Sequence, residues 1–254
     1  MLNKMIIRFK TFVKKTFFTP RPTLKIIDNY LIGEVSIVPT NLNYKKFTEL
    51  CLIMKKNGSD KGCFVGMSKH NYTVLYYHLF KNLREQKIRL FELGIGTTNT
   101  SFSANMGADG SPGASLRGWR EFFSKALIYS ADIDREVLFE DTRISTYYCD
   151  QTNPQLISEM WNEPSLDTDF TVILDDGYHD YFANVCFFEN SSHKLVQNGI
   201  YIIEDVWESQ IKNWEVYIKN AIVTFPNFRF SIVQIPNKYN LKDNNLIVVH
   251  KIKD

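Results

Sequence analysis

The chain has 254 residues, of which 44% are hydrophobic and 23% are charged, and its net charge is +2. This length suits one large α/β domain with additions, or one domain plus a small appendage, and the apolar content is enough for a full core. The near-neutral balance gives no electrostatic case for nucleic acid as a partner. No apolar stretch reaches the roughly 18 residues that a transmembrane helix needs.

Cysteine usage indicates the compartment. The four cysteines, at positions 51, 63, 149 and 186, show no spacing that is typical of a metal site. We interpret them as reduced, mostly buried thiols, and therefore expect a cytoplasmic protein.

The first 27 residues include seven basic residues and no acidic one. Apolar residues at helical spacing predict a basic amphipathic helix over residues 2–18, which ends before Pro20. Two interpretations stay open. The helix packs on its own domain or a partner subunit, or it lies on the anionic inner face of a membrane. It lacks the unbroken apolar core of a secretory signal.

The pattern changes near residue 86. Residues 1–85 are predicted to be a helical N-terminal extension, with an apolar stretch at 30–38, helices near 44–56 and 70–85, and a loop at 58–62. Residues 86–254 alternate between strands and helices, which predicts right-handed crossovers, a doubly wound α/β sheet and a ligand at the carboxyl ends of the strands. The predicted strands are 88–93, 127–132, 144–148, 170–175 and 199–204, the predicted helices are 115–125, 134–140, 153–162, 180–196 and 207–223, and a terminal antiparallel hairpin is predicted from 229–234 and 245–250.

A glycine turn and two acids follow the first three of these strands. Gly94-Ile95-Gly96 comes directly after the first strand, where glycine lets the backbone approach a ligand closely. Asp132 ends the second strand, at a position where an acid can bind two ribose hydroxyls, and Asp150-Gln151 follows the third. The alternatives are a simple tight turn for the glycines and a helix cap for Asp132.

A second set of acids ends the next two strands. Asp176 follows the run Phe170–Leu174, and Glu204-Asp205 follow the run Gly199–Ile203, with His179 one turn after Asp176. If the two strands are neighbours, the carboxylates converge, and like charges repel unless a cation or a proton compensates them. A hard divalent metal with a histidine beside it is the simplest explanation. The alternatives are helix capping by Glu204-Asp205 and a structural role for His179 at a helix start.

Taken together, the motifs resemble a known family. They are Gly94-Ile95-Gly96, Pro112-Gly113-Ala114-Ser115-Leu116-Arg117-x-Trp119, Ala131-Asp132-Ile133-Asp134, Asp150-Gln151-Thr152, Asp175-Asp176-Gly177-x-His179 and Ile203-Glu204-Asp205, preceded by Ser59-Asp60-Lys61-Gly62. This set is similar to that of class I S-adenosylmethionine-dependent O-methyltransferases that methylate macrolide sugars, with relatives in bacterial surface-polysaccharide loci. The resemblance covers residues 59–206.

The resemblance implies a Rossmann-like sheet of seven strands with the last strand antiparallel, and it implies roles for individual residues. S-adenosylmethionine and Mg²⁺ are the implied cofactors. Asp176, Glu204 and Asp205 match the metal ligands, and His179 matches the general base, which acts together with Asp176. Cofactor binding is implied for Glu92, Gly94, Gly96, Ser115, Asp132, Asp150, Gln151 and Asp175.

Three segments depart from the family pattern. Residues 97–111, rich in glycine, serine and asparagine, have no close counterpart in the macrolide enzymes; Tyr178 replaces a more usual serine; and the segments after residue 206 do not match. Loops of such composition beside a site often act as lids. We expect residues 97–114 to be mobile without ligand and ordered with it, the alternative being a fixed loop packed on a neighbouring subunit.

The predicted function is magnesium-dependent methylation of a hydroxyl on a sugar or glycan precursor, in a chain that we expect to form a homo-oligomer. One alternative is methylation of a phosphate or phosphoramidate oxygen on a surface-glycan precursor, and another is a non-catalytic cofactor-binding protein. A dinucleotide oxidoreductase is disfavoured, because the Gly-x-Gly turn lacks a third glycine at the helix start. His70 and His78 are interpreted as packing or surface residues, and Trp119, Trp207 and Trp214 as core or pocket-wall residues. The aromatic face from Tyr72 to Phe80 is interpreted as mostly core, with a place of Tyr72 at the border of the cofactor pocket as the alternative.

Overall fold

The computed structural model describes residues 25–28, 42–43, 46–62, 70–237 and 239–252. Within these ranges one mixed sheet contains nine strands. They are β1 (Lys25–Asp28), β2 (Arg89–Leu93), β3 (Leu127–Asp132), β4 (Glu140–Asp141), β5 (Ile144–Tyr148), β6 (Phe170–Asp175), β7 (Leu195–Ile203), β8 (Phe228–Gln234) and β9 (Asn245–Lys251). The predicted helix over 2–18, the apolar stretch at 30–38 and Cys63 lie outside the described residues.

Helices cover both faces of the sheet. They are α1 (Glu49–Asn57), α2 (Tyr72–Phe80), α3 (Ala114–Phe122), α4 (Pro154–Trp161), α5 (Tyr181–Ser191) and α6 (Ile211–Thr224). The first three contribute to a core on one face, which includes Met54, Tyr76 and Trp119. The last three contribute to the core on the other face, which includes Phe187 and Trp214. A sheet buried on both faces explains why the central strands are nearly continuous apolar runs.

The strand order is β1-β8-β9-β7-β6-β2-β3-β5-β4. The five strands from β5 to β7 in this order pair in parallel, whereas β9 is antiparallel to both β7 and β8. From β2 the chain first builds outwards through β3 and β5, and later returns to the other side of β2 with β6. The carboxyl end of β2 is therefore the place where the strand order reverses, which is where open α/β sheets bind ligands.

The predicted architecture is confirmed, with differences at the edges. The seven expected strands are present with the last one antiparallel, and two short strands, β1 and β4, extend the sheet on either side. The helix predicted over 134–140 is wrong. Asp134 caps only a short 3-10 turn at Arg135–Val137, and the chain then enters β4. Too few residues separate β3 from β5 for a full helical crossover.

The described part of the N-terminal segment shares the core of the sheet. Helices α1 and α2 contribute Leu50, Met54 and Tyr76 to the same buried cluster as α3. The helix predicted near 44–56 begins at Glu49, where Thr48 caps it. The division of the chain at residue 85 stays a prediction. Among the described helices, none has the length and apolarity needed to cross a membrane.

Candidate active site

The carboxyl ends of β2, β6 and β7 are level with one another. Leu93 pairs with Asp175, and Asp175 pairs with Ile203. The pairing continues one step further, because the amide of Asp176 donates to the carbonyl of Leu93 at 3.0 Å and the amide of Glu204 donates to that of Asp175 at 2.9 Å. This register places the acidic residues that follow the strands at one edge of the sheet.

Gly94 is the residue that allows β2 and β6 to approach at this edge. Its φ angle is +92°, and a Cβ atom added there would lie 2.1 Å from the carbonyl oxygen of Asp176. Any side chain would therefore separate the glycine turn from the acidic turn. The sequence reasoning assigned Gly94 to cofactor approach, and the structure gives it a second, structural reason.

A buried lysine lies among the acids. Helix α1 ends in a Schellman motif, in which Gly58, with φ +86°, donates to Lys55 and Ser59 donates to Met54. This reversal sends the chain inwards, and the side chain of Lys61 is only 2% exposed. Its ammonium group lies 2.5 Å from Asp176, 2.8 Å from Glu204 and 3.3 Å from Glu92.

The charges in this cluster depend on one another. Burial by itself would lower the pKa of Lys61, but Asp176, Glu204 and Glu92 outweigh it and raise the pKa well above its usual value. Burial raises the pKa of Glu204, against the opposing effect of Lys61. The second oxygen of Glu204 accepts a hydrogen bond from Tyr76 at 2.8 Å. Both oxygens of Glu204 are therefore engaged within the protein.

Asp205 is surrounded by a tyrosine and two histidines. The hydroxyl of Tyr72 donates to its carboxylate at 2.8 Å, and the nearest nitrogens of His70 and His179 lie 3.5 Å and 3.8 Å from it. Burial by itself would raise the pKa of Asp205, but the two histidines and Tyr72 outweigh it and hold the pKa below its usual value. Asp205 is therefore held as a carboxylate.

Two of these residues have an unusual backbone. His179 and Asp205 have φ angles of +59° and +53°, in the left-handed region that non-glycine residues seldom adopt. Such conformations cost about 1–3 kcal/mol each and are often found at functional sites. In each of the loops that leave β6 and β7, the residue in this strained conformation is the one that completes the cluster.

The geometry fits a divalent metal ion. One ligand atom from each of Asp176, His179 and Asp205 can be chosen so that all lie within 4.8 Å of one another. Carboxylate oxygens suit such an ion, and the Nδ1 atom of His179 beside them is buried without a hydrogen-bond partner. The structure thus brings together two of the three predicted ligands with the predicted base, while Glu204 lies beside them on Lys61.

On the other side of β2, Asp132 supports the glycine turn. Its carboxylate accepts hydrogen bonds from the amides of Ile95 and Gly96, at 2.8 and 3.2 Å, and from that of Asp134 at 2.9 Å. Burial raises its pKa, although these three donors oppose the shift. The predicted ribose-binding acid therefore also holds the backbone of the turn.

Glu92 and Ser115 form a closed pair beneath this turn. The hydroxyl of Ser115, in the first turn of α3, donates to Glu92 at 2.8 Å. The indole of Trp119 donates to its other oxygen. Glu92 is fully buried, so these contacts and Lys61 fill its surroundings. Burial raises its pKa despite the opposing effect of Lys61.

Gln151 links the ends of β5 and β6. Its amide nitrogen donates to both oxygens of Asp175, at 2.8 and 2.9 Å, and its oxygen accepts from the amide of Tyr178 at 2.8 Å. Asn184 also donates to Asp175, while burial raises the pKa of this acid to about 7. Asp150 is more exposed and accepts from Thr152. Gln151, one of the predicted cofactor-binding residues, thus holds the turn that carries His179.

The loop between the glycine turn and α3 is closed at its base. The amide of Met106 donates to Thr97 and that of Gly113 to Ile95, both at 2.8 Å. Most residues from 99 to 109 are exposed or half-buried, and they form no helix or strand. The loop therefore borders the site, and its motion stays a prediction.

The strand order matches a known architecture. The solved structure of the MycE methyltransferase from the mycinamycin biosynthetic pathway, in complex with Mg and SAH, superposes with a TM-score of 0.59 at 21% identity. The match covers 82% of this chain and 56% of that one. The chain has the fold of a class I methyltransferase. A second MycE structure, with Mg, SAH and mycinamycin VI, matches the methyltransferase fold with the same score and coverage at 20% identity.

Sequence relatives agree with the methyltransferase fold and confirm the predicted resemblance. Demethylmacrocin O-methyltransferase of Streptomyces fradiae is 32% identical over 55% of this chain and 33% of its own length. The 8-demethyl-8-alpha-L-rhamnosyl tetracenomycin-C 2'-O-methyltransferase of Streptomyces olivaceus is 23% identical over 77% of this chain and 45% of its own length. The chain thus spans less than half the length of these curated relatives. No protein-family profile matches it.

Sequence reasoning missed three residues around the candidate site of this methyltransferase fold. Lys61 lies in a motif that contributed to the resemblance but received no role, and no local pattern shows that it is buried among acids. His70 was interpreted as a packing or surface residue, and Tyr72 as part of a mostly buried face that could border the cofactor pocket, yet both contact Asp205. They lie more than 130 positions from that acid, so only the packing of α2 on the sheet brings them there.

Proposed function

We propose that the chain is a magnesium-dependent O-methyltransferase that transfers a methyl group from S-adenosylmethionine to a hydroxyl of a sugar or glycan precursor. The observation that carries the proposal is the meeting of Asp176, His179 and Asp205 at the carboxyl ends of β6 and β7. It occurs in a chain with a methyltransferase fold whose curated relatives include O-methyltransferases of glycosylated products.

The proposed cofactor site lies over the carboxyl end of β2. S-adenosylmethionine, when bound, supplies a methyl group on a sulfonium that is already an excellent leaving group. In this proposal the glycine turn lets the backbone approach the cofactor, and Asp132 accepts hydrogen bonds from the ribose. By resemblance, the remaining contacts come from Glu92, Gly94, Gly96, Ser115, Asp150, Gln151 and Asp175.

The proposed metal ligands are Asp176 and Asp205, with Glu204 as the third acid. A bound divalent ion would lower the pKa of the acceptor alcohol, which is otherwise far too weak an acid to ionise near neutral pH. The carboxylates are prepared for this task by their surroundings, because Tyr72 and Lys61 hold them by hydrogen bonds. Fixed ligands reduce the ordering that must accompany binding.

His179 is the proposed general base. Its imidazole would accept the proton of the acceptor hydroxyl, a role that histidine often has in general base catalysis. Asp205, whose carboxylate lies 3.8 Å from its Nε2 atom, would stabilise the resulting imidazolium. Asp180 caps α5 immediately after the histidine and fixes the point at which the loop becomes a helix.

The acceptor is proposed to lie against exposed aromatic side chains beside this cluster. Tyr178 precedes the proposed base and is 46% exposed, and Trp207 follows Asp205 by two positions and is 42% exposed. Phe182, in the first turn of α5, is 76% exposed. Large exposed apolar side chains next to a polar site are typical of ligand-binding surfaces, and aromatic rings offer flat faces to a sugar ring.

The proposed setting is the biosynthesis of a surface polysaccharide, such as a capsule, or of a related glycosylated product in the cytoplasm. A homo-oligomer and a contact of residues 2–18 with the inner face of a membrane remain part of this proposal.

The test is a methyl-transfer screen. The wild-type protein is incubated with S-adenosylmethionine and a panel of nucleotide sugars, glycan fragments and phosphorylated glycan precursors, with and without EDTA. We expect transfer to a sugar hydroxyl that EDTA abolishes and Mg²⁺ restores. Transfer that continues fully in EDTA would remove the metal from the mechanism, and transfer only to a phosphoryl oxygen would assign the alternative acceptor.

A matched pair of variants sharpens the test. Asp176→Asn removes a carboxylate after the carboxyl end of β6, whereas Asp169→Asn removes an exposed one before its amino end. We expect the first to reduce turnover by roughly 10²-fold, the effect that loss of one electrostatic group at a reacting oxygen commonly produces. The second should leave turnover unchanged. Equal turnover in the two variants would contradict the proposed ligand.

A further inference from the structure

Lys61 has more acidic partners than a simple structural ion pair requires. Its ammonium group contacts three carboxylates from three different strand ends: Glu92 in β2, Asp176 after β6 and Glu204 after β7. A lysine with 2% exposure loses nearly all of its hydration, which is compensated only when good partners replace the water. Here the partners are the acids of the candidate site.

The location of these acids gives the lysine a task. Glu92 belongs to the proposed cofactor-binding set and is held by Ser115 and Trp119. Asp176 and Glu204 belong to the proposed metal set. Within the described part of the chain, Lys61 is the cation whose ion pairs connect these two groups, and it enters from outside the central sheet, after α1.

The charge balance points the same way. Glu92, Asp176, Glu204 and Asp205 carry four negative charges when ionised, and they form one cluster in which Glu92 and Glu204 are buried and Asp176 and Asp205 are half-buried. Lys61 offsets one of these charges, and a divalent ion would offset two more. Like-charged carboxylates repel one another strongly at short range in a medium of low polarity. Without the lysine, the divalent ion would have to compensate the negative charge of these acids.

We infer that Lys61 is a positioning residue for the proposed reaction: its ammonium group is a built-in cation that holds the proposed metal ligands in place and ties them to the cofactor end of the site. This inference rests on the proposed function, because it assigns Asp176 and Glu204 to the metal set. Lys61 itself does not touch the reacting atoms. It limits the repulsion among the acids before the divalent ion binds.

If the inference holds, a bound divalent ion should restore part of the stability that is lost when the charge of Lys61 is removed. In Lys61→Met the methionine retains much of the apolar volume but lacks the charge. We expect the melting temperature of EDTA-treated protein to fall by about 10 °C, because one partner of a buried charge cluster is lost. We expect Mg²⁺ or Mn²⁺ to raise the melting temperature of the variant by at least about 5 °C more than that of the wild type.

A double variant separates charge from packing. Lys61→Met combined with Glu92→Gln removes one positive and one negative charge, and the glutamine oxygen can still accept a hydrogen bond from Ser115 or Trp119. We expect the double variant to recover at least half of the lost melting temperature in EDTA. If Lys61→Met does not fold without metal, the double variant still provides this comparison. A double variant as unstable as the single one would overturn the inference in favour of simple packing.

Lys56→Met is the matched control, because Lys56 on α1 forms an exposed ion pair with Glu121 on α3. It should change neither the melting temperature nor the response to metal beyond about 2 °C. If metal raises the melting temperature of Lys61→Met by no more than that of the wild type, this inference is overturned, but the proposed function is not. A wild-type protein that neither ion stabilises would instead contradict the metal site of the proposed function, and this inference with it.

Discussion

Asp205 shows how much the environment of a single residue can depend on distant parts of the chain. Its backbone is in the left-handed region, its carboxylate accepts from Tyr72, and the histidines at 70 and 179 lie on either side. A conformation that costs about 1–3 kcal/mol persists only where its surroundings hold it. In this case α2 and the loop after β6 supply those surroundings, and the carboxylate stays ionised.

His179 carries the first prediction at this scale. The change His179→Ala should lower the turnover number by about 10²–10⁴-fold, because the acceptor hydroxyl loses the group that takes its proton. Cofactor affinity, measured by calorimetry, should stay nearly the same. His78→Ala is the control, since this histidine is exposed on α2. A loss smaller than tenfold at saturating substrate would transfer the role of base to another group.

The second prediction concerns Asp132. The change Asp132→Ala should weaken S-adenosylmethionine binding by about 1–3 kcal/mol, the loss expected when hydrogen bonds to a charged group are removed. The structure adds a second cause in the same direction, because the carboxylate also holds the amides of Ile95 and Gly96. Calorimetry on protein shown to be folded by its melting curve measures the effect. Unchanged affinity would reduce Asp132 to a support for the turn.

At the scale of elements, the turns matter more for the site than the strands do. Gly94 permits the close approach of two strand ends, and the Schellman motif at Gly58 redirects the chain towards the interior. Gln151 connects the turn after β5 to the turn after β6. Each turn is short, so a small change in one of them would move a side chain of the site.

The loop at 97–114 carries the prediction that belongs to this scale. Amides in the exposed part, from 99 to 105, should exchange rapidly in the unliganded protein and slow down when cofactor or acceptor binds. The amides of Met106 and Gly113 should be protected throughout, because both already donate within the loop base. Hydrogen exchange measured by mass spectrometry tests this, with the distant turn at 162–169 as the internal control. Strong protection without ligand, unchanged on binding, would rule out a lid and favour a loop fixed on a neighbouring subunit.

On the scale of the whole molecule, the candidate site follows from the strand order. Because β2 lies between β3 and β6, its carboxyl end has an acid on each side. Asp132 ends β3, and Asp176 directly follows β6. The proposed cofactor half and the proposed metal half therefore share one strand end. Helices α1 and α2 then complete the metal half from outside the alternating strands, with Lys61, His70 and Tyr72.

The sequence by itself determined the fold class and most residues of the candidate site. Buried parallel strands read as apolar runs, and functional side chains follow these runs directly, so Asp176, Glu204 and Asp205 were identifiable from local patterns. The glycine turn and the terminal hairpin were identifiable for the same reason. The helix predicted at 134–140 was wrong because the connection between the parallel strands β3 and β5 is too short for a helical crossover.

Only the tertiary structure decided which side chains these residues contact. It placed Glu204 on Lys61 and Tyr76, grouped Asp176 and Asp205 with His179, and brought His70 and Tyr72 to the same cluster. It also used Asp132 and Gln151 to hold turns, in addition to the cofactor contacts proposed for them. Local patterns report which residues end a strand, whereas contacts between residues more than 100 positions apart depend on the packing of helices against the sheet.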